Sequence, residues 1–261
     1  MRQKLIYLST LSLIVVLIAA CATNIAGRKQ LALISESQAI EASVQAYQQT
    51  LEPYAEAKKL DNDAAMVRRV NRITDKLITQ AIKLRPDTKQ WDWQVKVLDD
   101  PETVNAWCMA GGKMAIYTGL IEKLNATDDE IAQVMGHEIS HALANHSVER
   151  ISVAMASNIA VEVVNASTGG EAGSLTAIAA QVALTLPNSR TSESEADKIG
   201  IELAAKAGFN PQAAVTLWQK MAKVGGSGGP EFLSTHPAPK NREKTLKKLI
   251  PKMMPYYNAA K

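Results

Sequence analysis

The segment His137-Glu138-Ile139-Ser140-His141 constrains this chain more than any other feature, because its chemistry works only on a helix. At positions i and i+4 two neutral imidazoles leave one helix face and can grip one zinc ion, while Glu138 faces the open coordination position. Zinc held in that way lowers the pKa of a water towards about 7, and a neighbouring carboxylate can take its proton. The flanks predict the helix. Thr127-Asp128-Asp129-Glu130 has the form of a capping box, with Thr127 as N-cap and Glu130 at N3, and the two Asp favour the positive helix end. Ile131, Val134, Met135, Ile139, Ala142 and Leu143 then recur at three- and four-residue spacing, so a packed face holds the ligand-bearing turn. A chance H-E-x-x-H in an amphipathic helix has no need of this cap.

A catalytic zinc of this kind takes a third protein ligand and keeps the fourth position open. Of the four His, His146 lies nine residues beyond His137, about half a turn round a continuing helix, and is expected at the surface or behind a ligand. His236 lies in a Ser-Thr-His-Pro loop, which leaves a carboxylate for the third ligand. Ser192-Glu193-Ser194-Glu195-Ala196-Asp197 opens a predicted helix to about Ala207, stopped by Gly208 with Pro211 beyond. Glu193 and Asp197 share a face of that helix, and Glu195 points the other way. This arrangement puts Glu193 on the zinc and Asp197 behind a ligand imidazole. Without the H-E-x-x-H motif, complementarity to the helix dipole would explain the acidic turn.

The rest of the chain predicts an α+β fold, mainly α-helical. Ser35-Glu36-Ser37-Gln38 is a second capping box, opening a helix that Pro53 interrupts or restarts. Val67, Val70, Ile73, Leu77, Ile78 and Ala81 stripe a longer helix that ends at Arg85-Pro86-Asp87. Between Trp91 and Tyr117 the period changes to two, with a turn at Asp99-Asp100-Pro101 and another at Gly111-Gly112, which predicts a small antiparallel sheet beside the zinc helix. Beyond His141 the chain reads as Ala-rich helix with a pause at Thr168-Gly169-Gly170, too polar to span a membrane.

At the N-terminus, Arg2 and Lys4 precede an apolar run from Leu5 to Ala20, the pattern of a signal peptide. Ile18-Ala19-Ala20-Cys21 resembles a bacterial lipobox, which implies cleavage before Cys21 and its lipidation; Ala22 in place of Asp points to the outer membrane. The division is therefore a leader at 1–20, a lead-in at 21–34 and a single domain at 35–261. Without the leader, 27 basic residues face 26 acidic ones, so no nucleic acid is implied as a partner. Cys108 then has no partner in the chain, and a buried thiol is its plainest fate.

An H-E-x-x-H followed by Glu193-Ser194-Glu195-Ala196-Asp197 resembles the gluzincin family that contains the CAAX prenyl proteases and the HtpX heat-shock protease. Gly27 to Leu31, Asn105-Ala106-Trp107, Gly112, Thr118-Gly119-Leu120 and Ser234-Thr235-His236-Pro237 extend the likeness, which is greatest to the family's soluble bacterial lipoprotein branch. The resemblance implies a zincin-type metallopeptidase domain with one Zn2+ per chain on His137, His141 and Glu193. It makes Glu138 the general base and then acid, and Asp197 the carboxylate behind a ligand. It also places Asn105 on the substrate backbone and His236 at the oxyanion. The implied activity is an endopeptidase acting on unfolded or misassembled envelope polypeptides, lipid-anchored through Cys21 and facing the periplasm, with the edge of the Met114 to Thr118 strand pairing with substrate. A catalytically silent zinc lipoprotein serving as chaperone or binding partner is the alternative from another class, and Glu138 argues against it. An aminopeptidase is a third reading, for which no site for a free amino terminus is evident.

Overall fold

Both capping boxes form. Ser35 Oγ accepts from Gln38 N at 3.2 Å and opens α1, Glu36–Glu56. Pro53 does not interrupt this helix: it sits in the last turn, so the one i−4 hydrogen bond it cannot donate is lost close to the helix end. Asp63 caps α2, Ala64–Leu84, by accepting from Ala65 N and Met66 N, and a 3₁₀ turn at Pro86–Gln90 ends it where proline predicts. The structure, a computed structural model, describes residues 21–165, 175–224, 231–238 and 241–261. The leader and the Thr168-Gly169-Gly170 pause lie outside the described residues.

Five short strands follow two schemes. β1, Cys21–Thr23, and β2, Lys29–Leu31, form an antiparallel hairpin that turns through Gly27 at φ +80°. β3, Gln94–Leu98, β4, Ala106–Met109, and β5, Lys113–Tyr117, form a sheet in the order β3-β5-β4. This sheet is mixed, not antiparallel throughout: β4 and β5 make a hairpin, while β3 lies parallel to β5. Gly111 and Gly112, both at φ +79°, fold β5 back into the centre, where every one of its residues is buried. The Met114 to Thr118 strand therefore has no free edge, and the strand at the sheet margin beside the zinc helix is β4.

α3, Thr118–Lys123, leads to α4, Asp128–Leu143. Thr127 Oγ1 accepts from Glu130 N at 3.2 Å and Glu130 Oε2 accepts from Thr127 N at 2.9 Å, a reciprocal cap of about 1 kcal/mol. Every residue from Glu130 to Leu143 is buried, because α2, β4 and the later helices α7, Arg190–Lys206, and α8, Ala213–Val224, enclose this helix. Ile131, Val134, Met135 and Ile139 form the predicted core face, each fully buried side chain contributing about 1.5–3 kcal/mol.

The helical run after His141 is broken where the sequence reads as continuous. α4 ends with Ala144 as C-cap, Asn145 takes the left-handed conformation at φ +54°, and α5, His146–Asn165, sets off in a new direction. α6, Leu175–Leu184, packs between α1 and α5; α9, Glu231–Thr235, and α10, Arg242–Ala259, complete the order, with α10 laid on α7 and α8.

Candidate metal centre

α4 and α7 cross at glycine. A Cβ on Gly200 would lie 2.8 Å from His137 N, and one on Gly136 would lie 3.0 Å from Gly200 O, so two backbones meet where side chains would hold helices apart. α7 begins two residues earlier than its acidic pattern suggests, because Ser189 caps it by accepting from Ser192 N at 3.0 Å. This crossing carries Glu193 over the turn that bears His137 and His141.

Four donors converge. Atoms of His137, His141, Glu193 and His236 all lie within 4.8 Å of one another, and all four residues are buried. Glu193 Oε2 is 3.3 Å from His137 Nε2, and its Oε1 is 3.2 Å from His141 Nε2 and 3.0 Å from His236 Nδ1. His236 arrives from the end of α9, stacked on Phe232 at 4.2 Å between ring centres, with Nε2 3.5 Å from Glu138 Oε1. Asn188, which the sequence did not mark, brings Nδ2 to 3.3 Å from His236 Nδ1. Asn105 is buried at the head of β4, but its hydrogen bonds run to Ala106 N and Tyr117 N rather than to the four donors.

The set fits a divalent cation. His137 Nε2 and His141 Nε2 stand 3.1 Å apart, and each ring's other nitrogen already faces a partner. With one proton on each ring turned to those partners, the two facing nitrogens present lone pairs, and a proton or a metal cation between them relieves their repulsion. Two imidazoles and a carboxylate, with His236 on the remaining side, suit zinc.

Behind the donors, Asp197 Oδ1 is 3.1 Å from His137 Nδ1, oblique to the N–H direction. Arg242, six residues past His236, is buried. It donates to both oxygens of Asp197 and to Glu193 Oε2, and its guanidinium lies 3.4 Å from the centre of the Trp218 ring. His146, expected at the surface or behind a ligand, is buried beside His141: its Nδ1 is 2.8 Å from His141 Nδ1. Its Nε2 is 2.9 Å from Glu195 Oε2.

Burial and charge set the protonation of the protein groups. Burial opposes the charge on His137, but the carboxylates of Glu193 and Asp197 outweigh it and raise this ring to about 9. Burial holds His141 well below the usual imidazole range. Burial would also raise Glu193, yet His236 and His137 drive it far below the carboxylate range. Glu138 has only partial compensation, so burial pushes it up. Cys108 is buried as expected, and burial, then Glu138, pushes its thiol well up, so it stays protonated.

Crossed helices that gather two imidazoles and a carboxylate beside a buried glutamate have the form of a zincin-type metal centre. The chain belongs to peptidase family M48, whose pattern matches residues 64–250. It is 39% identical over 163 residues to the mitochondrial metalloendopeptidase OMA1 of Arabidopsis thaliana, covering 59% of this chain and 31% of that protein. It is 31% identical over 245 residues to human mitochondrial OMA1, covering 88% and 46%. It is 34% identical over 148 residues to the metalloprotease LoiP of Escherichia coli, covering 55% and 58%. The matches thus span about a third to a half of the first of these relatives. Among the described residues, no helix is long and apolar enough to cross a membrane.

Proposed function

We propose that this chain is a zinc-dependent endopeptidase that hydrolyses peptide bonds of unfolded or misassembled cell-envelope proteins, held to the membrane by a lipid on Cys21. The convergence of His137, His141 and Glu193 beside Glu138 carries the reading. Those three residues would hold one zinc ion, which would supply Lewis acidity there. Glu138, with its proton affinity raised by burial, takes the proton of the attacking water and returns it to the leaving amine. His236 turns Nε2 to the same side as Glu138, and with a proton on that nitrogen it donates to the developing oxyanion.

Asp197, clamped by Arg242, keeps His137 turned towards the metal. Substrate lies extended along β4, whose neighbour on the inner side is β5, and Asn105 at the head of that strand engages the peptide backbone. A requirement for an extended chain favours unfolded substrates. The mitochondrial and bacterial relatives are named metalloendopeptidases or metalloproteases, which supports peptide hydrolysis in either setting. The lipobox-like Ile18 to Cys21 supports the envelope, on the outer membrane facing the periplasm.

Purified protein with Glu138→Gln is expected to bind zinc as the parent does and to cleave unfolded casein about 10²–10⁴-fold more slowly. Equal cleavage by parent and variant, indifferent to a chelator, overturns the protease reading. Internal product termini exclude a strict aminopeptidase.

A further inference from the structure

Between the start of β1 and the end of β2 the chain makes a strap that reaches the back of the metal centre. Asn24 Nδ2 donates to Glu195 Oε2 at 2.8 Å, and Arg28 Nε donates to Glu195 Oε1 at 2.7 Å. The two terminal nitrogens of Arg28 hold Glu149 of α5 in a fork at 2.6 Å each. Gln30 Nε2 donates to Asn145 O at 3.2 Å, at the break between α4 and α5. The strap is itself rigid: Asn24 Oδ1 accepts from Ala26 N and Arg28 N, and Gly27 supplies the turn.

Taking His141 Nε2 as the metal-facing atom orients the hydrogen bonds along the whole chain of groups. His141 turns Nε2 to the other donors, so Nε2 carries a lone pair and Nδ1 carries the proton. That proton goes to His146 Nδ1, so His146 carries its own proton on Nε2 and gives it to Glu195. Each His of the motif is therefore backed by a carboxylate from α7. Asp197 lies beside His137 Nδ1 with no group between them, oblique to its N–H direction, and Glu195 reaches His141 through one imidazole.

We propose that the strap at residues 21–31 is part of the metal centre, with Arg28, Asn24, Glu195 and His146 as positioning residues that fix the tautomer and orientation of His141. This rests on His141 being a metal ligand. It gives a chemical role to Glu195, which points away from the ion, and to a segment that lies outside residues 64–250 of the family match. It also couples the stretch beside the proposed lipid anchor to metal retention.

The test is zinc affinity, measured on the full chain by competition with a chromophoric chelator and read beside the thermal midpoint of the zinc-free protein. Glu195→Gln and His146→Ala are expected to weaken zinc about 10–100-fold, and Arg28→Met to weaken it less. Arg28→Lys, which cannot hold Glu195 and Glu149 in one fork, should fall between Arg28→Met and the parent. Parental zinc affinity in Glu195→Gln and Arg28→Met overturns the proposal, as does a loss no larger than the change in zinc-free stability predicts. Where a variant does not fold, nitrogen NMR of the zinc-loaded parent decides: His146 must carry its proton on Nε2, and the opposite tautomer overturns the relay. His141→Ala separates the two readings. Zinc affinity unchanged by that substitution removes the ligand assignment itself, whereas its loss beside unaffected Glu195→Gln and Arg28→Met removes only the strap.

Discussion

Gly200 lies against the backbone of His137 so closely that a methyl group in place of its hydrogen would stand 2.8 Å from His137 N and 2.9 Å from its Cα. Both obstacles are backbone, so neither can turn aside. The distance between α4 and α7, and with it the span from Glu193 to the two imidazoles, depends on that missing side chain.

Gly200→Ala is therefore expected to cost about 1–3 kcal/mol of stability through overpacking, despite the better helix propensity of alanine. Because the helices must separate, zinc affinity should fall as well. Thermal melts with and without zinc check both, and a stabilised variant with parental affinity contradicts the crossing.

Asp197 and Arg242 form a buried pair whose partners are unequal in what they leave behind. Arg242→Met leaves the Asp197 and Glu193 carboxylates without their cation, and loss of one partner of a buried pair typically costs about 3–5 kcal/mol. Zinc should restore part of that loss, since it neutralises the same cluster. Asp197→Asn should instead lower zinc affinity by about 10–100-fold through His137. Calorimetry of zinc binding and of unfolding separates the two signatures.

Asn145 holds φ +54°, where a β-branched side chain is strained. Asn145→Gly should leave stability and metal binding close to the parent, whereas Asn145→Val should destabilise by about 1–2 kcal/mol and displace His146 from His141. Comparing zinc retention in this pair tests the turn independently of any hydrogen bond. Equal behaviour of the two variants contradicts it.

Acid stability should depend on Glu130. Burial would raise this carboxyl, but Lys220, the Thr127 amide and the Thr216 hydroxyl outweigh it and lower it. A carboxylate depressed in the folded state stabilises fully above its unfolded pKa, about 4.3, and loses that contribution as pH falls through the folded value. Glu130→Gln should thus be less stable than the parent at pH 7 and show a shallower decline below about pH 4.3. Urea unfolding across that range measures the difference, and parallel curves contradict it.

Local pattern made much of this legible. The capping box at Thr127, the core face of α4 and the sharing of one helix face by Glu193 and Asp197 are matters of spacing within one element, and all appear as read. The sheet was legible in its strands but not in its order, because alternation describes faces and leaves pairing open. β5 came to the centre through a glycine turn and the burial of both its faces.

The sequence by itself determined that a helix carries two imidazoles and a glutamate to one side, and that a second helix offers a carboxylate to meet them, because a 3.6-residue period ties spacing to direction. Beyond Asp197, what stands behind those side chains was decided by the tertiary structure alone. Asn24 meets Glu195 across 171 residues and Arg28 meets Glu149 across 121, and Arg242 reaches Asp197 across 45. His146 faces His141 where Asn145 takes a positive φ between the two helices, which periodicity does not report. Directions within a helix follow from geometry common to every helix, whereas meetings between elements depend on turns at single residues.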